Sequence, residues 1–311
     1  MNYTQRQIED VANLITKAME DKGVAWLKPF SAGTKLGTPN LPKNIRGTYY
    51  SGINTLILSL KGGGYASNTW GTFKQIADAG GRVNKGEKGS HVCYYGTANT
   101  KVEGEDTNSH YRFLKFYNVF NLSQTDLKKL VIEEVENRDK PVKEPLNMVQ
   151  RLSDIDNFVN NTEINIQHKE AGRCYYVPSA DYINMSPLDT WKQVNGTSKE
   201  ELYYGVLLHE LTHATGHKSR LDRNMSDKFG SEGYAFEELI AEYSSGILCN
   251  LLGISKKPSD QHAAYLNTWI KRIKKEPRVI FHAVAQAQKA INFLDNLQNV
   301  SLKKSDIRKA A

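Results

Sequence analysis

His209-Glu210-Leu211-Thr212-His213 sets two histidines four residues apart inside an apolar, helix-compatible run. Four residues make about one helical turn, so both imidazoles project from one face and can reach a common ion. Glu210, beside the first histidine, projects close enough to hold a water that such an ion activates. Zinc-dependent peptidases use this H-E-x-x-H spacing, with the glutamate as general base. Zinc lowers the pKa of its water to roughly 7, within reach of a carboxylate at neutral pH. Tyr203, Tyr204, Val206, Leu207, Leu208 and Leu211 supply an apolar face to seat the helix. Thr197 or Ser198 is a candidate N-cap with Glu200 and Glu201 in the first turn, and Gly216 stands where the helix could end.

A catalytic zinc takes three protein ligands and leaves one position for water. His217 would align with the other two histidines on an unbroken helix, but three histidines on one straight face span about 12 Å. Peptidases that use a third histidine place it further on, after a glycine turn, whereas His217 follows Gly216 at once. It is therefore expected behind the ligands, on the substrate or in a structural role. Glu238 is the better ligand. It lies on a second apolar helix, roughly 234–252, with Glu242 four residues on along the same face. One carboxylate then serves the metal and the other orients a ligand histidine through its second ring nitrogen. Glu237, about 100° round that helix, is expected in solvent.

These helices need a scaffold, and 311 residues suggest two domains. No run of 18 apolar residues exists, and the N-terminus lacks the basic start and apolar core of a secretory signal. Cys93, Cys174 and Cys249 match neither a disulfide framework nor a zinc knuckle. The expectation is a cytoplasmic protein with no membrane partner. Of the net charge of +7, residues 1–125 hold 15 Lys/Arg against 9 Asp/Glu, and the remainder 26 against 25. The positive excess sits in the first part, which suggests a polyanion as its partner.

Apolar periodicity predicts a helix over 4–22, another over 50–60 and a short one over 73–79 capped by Thr72. Strands are expected at 91–96 and 111–120 across a polar loop, then a helix from Ser123 to about Glu136. The charged, proline-bearing stretch 137–145 reads as a linker. Beyond it come a helix near 146–160, short strands near 163–168, 173–177 and 181–185, and then mainly helices. The helical stretches 258–275 and 278–296 suggest only packing against the metal domain.

In the first part, cations interleave with aromatics: Trp26, Lys28 and Phe30; Arg46, Tyr49 and Tyr50; Trp70 and Lys74; then Arg82, Lys85 and Lys88 in a glycine-rich loop. Loop cations can track phosphates, and exposed rings can stack unpaired bases, which favours single strands over duplex. The competing reading makes the aromatics a core and the lysines merely solvated, and patterning is compatible with both.

Together these residues resemble the ArdC-type antirestriction proteins of plasmids and phages. The N-terminal match comprises Trp26-x-Lys28-Pro29-Phe30, Gly47-x-x-Tyr50-x-Gly52-x-Asn54, Trp70-x-Thr72-Phe73-x-Gln75 and Val83-x-Lys85-Gly86-Glu87-Lys88-Gly89. The C-terminal match comprises Tyr176-x-Pro178-x-x-Asp181-x-Ile183, the histidine motif through His217, Arg220-Leu221-x-Arg223 and Tyr234-Ala235-x-Glu237-Glu238-Leu239-x-Ala241-Glu242. The pattern departs at Ser186-Pro187, where no proposed ligand is touched. The resemblance implies an α+β chain in two domains. A small N-terminal α+β domain that binds single-stranded DNA (1–136) is followed by the linker (137–145) and a mainly helical, zincin-like metallopeptidase domain with a short sheet (146–311). It implies His209, His213 and Glu238 as ligands of zinc, or of another divalent ion such as manganese. Glu210 becomes the general base, with Glu242 and His217 behind the ligands. The implied partners are single-stranded DNA and a restriction enzyme or other protein substrate, in a protein that shields incoming DNA from host restriction. Tyr182 and Tyr234 are both candidates to donate to a developing oxyanion, and 175–184 could supply an edge strand for an extended peptide. The rival expectation is a non-catalytic binder of single-stranded DNA with a structural metal.

Overall fold

The computed structural model describes residues 2–28, 40–101, 108–139, 148–225, 230–254 and 260–298. Helix α1 (Tyr3–Lys22) opens at Asn2, whose side chain accepts from Gln5 N, and it buries Ile8, Val11, Ala12, Ile15 and Met19 at helical spacing. Next come β1 (Lys43–Asn44), α2 (Gly52–Gly62), β2 (Thr69–Gly71) and α3 (Phe73–Asp78). Thr72 and Gln75 close a reciprocal capping box on α3. The strands β3 (Ser90–Lys101) and β4 (Asn108–Asn121) form a long antiparallel hairpin, and the sheet order is β1-β2-β4-β3.

This order leaves β3 at the sheet edge, where outward backbone groups lack a strand partner. Asn54 on α2 supplies one. Its amide donates to Cys93 O and its Oδ1 accepts from Cys93 N, both at 2.8 Å. Asn54→Ala would leave both buried groups unsatisfied, at an expected cost of about 2–3 kcal/mol. A lower urea midpoint with unchanged slope is the predicted readout, and an unshifted midpoint would contradict it.

The helix expected from Ser123 begins later. Asn121 caps a 3₁₀ turn over Leu122–Gln124, and α4 (Lys128–Asp139) follows. Positions 137–139, expected in the linker, close that helix, while 140–145 lie outside the described residues. Then come α5 (Met148–Asn160) and a three-stranded sheet of β5 (Asn165–Gln167), β6 (Tyr175–Val177) and β7 (Tyr182–Asn184), ordered β5-β7-β6. The remaining helices are α6 (Lys199–Ala214), α7 (Glu232–Leu251), α8 (Asp260–Lys275) and α9 (Arg278–Asn296).

The last two helices pack on the metal domain as expected, and on the first domain as well. α8 lies on α1 as well as α7, and α9 lies on α2 as well as α7. Gly52, at φ +55°, donates its N–H to Gln288 Oε1 at 2.8 Å, and its carbonyl accepts from the Tyr243 hydroxyl at 2.9 Å. Asn250 Oδ1 accepts from Asn40 N. One continuous cluster of buried apolar side chains runs from Ile8 on α1 to Leu294 on α9. The two domains thus share a core. Among the described residues no helix is long and apolar enough to cross a membrane.

Candidate metal centre

α6 starts at Ser198, which forms a capping box with Glu201 and so fixes the register of everything downstream. Its inner face buries Leu207, Leu208 and Leu211 together with His209, Glu210 and His213. α7 packs against it and buries Glu237, Glu238 and Glu242. His209 meets Glu242 and Glu238, and His213 meets Glu238 and Glu237, so the two helices run antiparallel at the contact.

The ring nitrogens converge. His209 Nε2 and His213 Nε2 lie 3.1 Å apart. Glu238 Oε2 is 3.4 Å from the first and Glu238 Oε1 is 3.5 Å from the second. One ligand atom from each residue falls within 4.8 Å of the others. Donors about 2.0–2.1 Å from a tetrahedral ion stand roughly 3.3 Å from each other, which matches these edges. Each histidine's other nitrogen is also engaged: His209 Nδ1 lies 3.0 Å from Glu242 Oε1, and His213 Nδ1 lies 3.3 Å from Glu237 Oε1. Such outer carboxylates fix ring orientation and tautomer.

Charge points the same way. Glu210, Glu237, Glu238 and Glu242 are all buried, and Arg223 is the guanidinium that enters among them. Uncompensated buried carboxylates are costly, so this cluster is suited to a cation. The residues present therefore fit a divalent ion held by His209, His213 and Glu238. For His213, burial alone would depress the ring pKa. Hydrogen bonds and charge from Glu237 and Glu238 outweigh it and hold the ring well above its ordinary value. An entering ion must displace that proton.

Glu237 corrects the expectation of a solvated side chain. It receives two bonds from Arg223, Nε to Oε2 at 3.0 Å and Nη2 to Oε1 at 2.7 Å, while facing His213. Arg223 also donates to Thr215 Oγ1 and Thr212 O at the end of α6. Gly216 makes room for this, since a Cβ there would stand 2.6 Å from Met225 Sδ and 3.0 Å from Arg223 Nη2. Helical arithmetic misses Glu237 because it assumes a single line of contact, whereas two flanking positions of α7 reach successive turns of α6. Arg223 carries no sequence signal beyond its place in the Arg220-Leu221-x-Arg223 pattern.

His217, expected behind the ligands, is not there. The chain leaves α6 at Ala214, so His217 loses the register of His209 and His213; its Nδ1 sits 2.7 Å from Ser219 Oγ and 3.7 Å from Asp181 Oδ2. Asp181, at φ +49° in the β6–β7 turn, pairs with Arg220, whose Nε donates to Ala214 O. Arg220 thereby ties the β6–β7 hairpin to the end of α6. Of the two candidate tyrosines, Tyr234 reaches the site: its hydroxyl bonds Glu238 and feels the charge of Glu210. Burial and those carboxylates push its pKa up, which keeps it a proton donor at neutral pH. Tyr182 instead lies beneath Lys169, 5.2 Å from its ring centroid.

The aromatics proposed for DNA are mostly elsewhere. Trp26, Trp70 and Tyr50 are buried in the core and cannot stack on bases. Trp26 lies in a 3₁₀ turn over Gly23–Leu27 that packs on α1, and Trp70 lies in β2, an interior strand of its sheet. Tyr49 is half-buried and Phe30 is outside the described residues. Lys28, Arg46, Lys74, Arg82, Lys85 and Lys88 are exposed. Phe73, next to Lys74 in the chain, is exposed, and so are Tyr3, Tyr94, Tyr95 and Tyr117, which sequence reasoning did not single out.

Residues 5–120 match the model of the N-terminal domain of anti-restriction factor ArdC, and residues 153–286 match that of a zincin-like metallopeptidase. Two DNA primases TraC of Escherichia coli are 34% identical to the chain over 304 and 298 residues. Each comparison takes in 92% of the chain but only 27% and 20% of the primase, so the chain spans about a quarter or less of these relatives. The uncharacterized protein y4eC of Sinorhizobium fredii is 31% identical over 271 residues, 84% of this chain and 82% of that one. The metal-free crystal structure of the antirestriction ArdC protein from R388 plasmid matches with a TM-score of 0.73 at 34% identity, covering 94% of this chain and 97% of that one. The Mn(II)-bound crystal structure matches equally, covering 96% and 99%.

Proposed function

The chain belongs to the ArdC-type antirestriction family, and from that premise we propose that it protects incoming plasmid or phage DNA from restriction, binding it as a single strand and bringing a metal-dependent peptidase site to proteins there. The observation that carries the peptidase half is the three-donor set of His209, His213 and Glu238 with Glu210 beside it. A structural site is usually closed by four protein ligands. Here Glu242 and Glu237 face the outer nitrogens and His217 lies on the β6–β7 turn, which supports an open position. The Mn(II)-bound relative supports a divalent ion, with zinc or manganese as the candidates.

A divalent ion, when bound, supplies Lewis-acid polarisation of a peptide carbonyl and lowers the pKa of water. Glu210 accepts the proton of the attacking water and passes it to the leaving amine. Glu242 and Glu237 keep His209 and His213 in one tautomer. The edge strand β6 offers backbone groups to an extended peptide, so that its carbonyl is presented to Glu210. The Tyr234 hydroxyl donates to the oxygen on which charge develops. Tyr234→Phe is expected to lower kcat by about 10²–10³-fold with metal content intact, the usual effect of losing one such donor. A wild-type kcat would remove Tyr234 from this role.

The DNA half rests on the family match of residues 5–120 and the positive excess of that part. The test joins the two halves. Protein loaded with Zn(II) or Mn(II) is incubated with labelled casein with and without chelator, and its anisotropy is titrated with single- and double-stranded oligonucleotides across salt. Chelator-sensitive cleavage and salt-dependent preference for single strands are expected. Full metal occupancy without cleavage would leave the non-catalytic reading.

A further inference from the structure

We infer that the middle of the β3–β4 hairpin is a base-stacking platform for single-stranded DNA, made by Tyr94, Phe113, Lys115 and Tyr117; this rests on the DNA half of the function proposed above. The register pairs Tyr94 with Lys115, Gly96 with Phe113 and Val92 with Tyr117. Side chains paired across an antiparallel ladder share a face, so all four line one side of the ribbon. Along β4 the order is ring, cation, ring at two-residue steps of about 6.8 Å.

Tyr94 and Tyr117 are exposed, and Phe113 is half-buried beside Tyr94. Tyr94 is 44% exposed and Tyr117 41%, whereas Trp26 and Trp70 are buried in the core. Phe113 lies directly over Gly96, where a Cβ would stand 2.3 Å from Phe113 Cζ and 2.8 Å from Tyr94 Cε1. The glycine lets both rings settle on bare backbone. Their centroids are 6.2 Å apart, and Lys115 Nζ sits 4.9 Å from the Phe113 centroid. Exposed rings gathered on one face of a strand pair mark an interaction surface, and their surroundings select the partner. Lys115 stands among the rings, and the loop carrying exposed Arg82, Lys85 and Lys88 runs straight into β3 at Ser90. Rings for bases and cations for phosphates are what an unpaired strand requires; a duplex keeps its base faces stacked away.

The test uses the full chain and fluorescence anisotropy with three labelled probes: a dT 20-mer, an abasic 20-mer of the same backbone, and the dT·dA duplex. Tyr94→Ala and Tyr117→Ala are each expected to weaken dT binding by about 5- to 150-fold, the range for losing one stacked base, with abasic binding unchanged. Tyr94→Phe and Phe113→Tyr keep a ring and are expected to stay within about twofold of wild type, which separates loss of stacking from loss of hairpin structure. Two results overturn the platform while sparing the DNA reading: alanine variants that bind dT like wild type, or an abasic strand bound as tightly as dT. Wild-type protein that binds no single strand at all overturns both.

Discussion

Replacing Glu210 with Gln is expected to lower peptide hydrolysis by about 10²–10⁴-fold, the range for a positioned general base, while metal content stays at the wild-type level. The substitution preserves shape and one acceptor oxygen and removes only the basicity. Glu210 is buried on α6 between the two histidines but outside the three-donor set, so the ion should bind without it. Metal analysis beside a cleavage assay separates the outcomes. Hydrolysis at wild-type rate would end the general-base assignment. Loss of metal together with activity would make Glu210 a structural member of the cluster. DNA binding is expected to be unaffected, because every DNA contact proposed here lies on the other domain.

Arg223→Met is expected to be the most destabilising single change near the site, at about 3–5 kcal/mol, the cost of leaving a buried charge without its partner. Arg223 and Glu237 are 6% and 9% exposed and meet through two bonds. Removing the guanidinium strands Glu237 beside His213 and releases two acceptors at the end of α6. A fall in Tm on the order of 10 °C with weakened metal affinity is the predicted pair of readouts. Arg220→Met is the contrast. Its partner Asp181 has a side chain 35% exposed, and half-solvated pairs contribute about 1 kcal/mol or less. Equal losses for the two arginines would refute the argument from burial.

The sequence shows some of this clearly and some not at all. The i, i+4 spacing of the histidines and of Glu238 and Glu242 survives into three dimensions because helical geometry is local, so proximity within each helix can be read directly. The pairing of α6 with α7 follows from their shared apolar faces. Glu237, Arg223 and the Asp181–Arg220 clamp depend on how a turn after Ala214 folds back, which no periodicity encodes. The aromatics fail for a different reason. Trp26 and Trp70 stand among lysines in the chain, but large rings are worth more in a core than on a surface, and neighbours in sequence are poor guides to neighbours in space. The hairpin rings escape notice because Tyr94 and Phe113 become companions only through the register across Gly96.

The seam described at Gly52 bears on how such a chain travels between proteins. A shared core, with the last two helices folded back across the first domain, makes the two halves a single heritable part: a recombination break between them would expose apolar surface on both. The long primases agree with this, since 92% of the chain corresponds to a stretch within a far larger protein. What passes from one protein to another is then the joined pair, so the N-terminal domain and the histidine–glutamate cluster arrive in each new host protein already fixed at a set distance from one another.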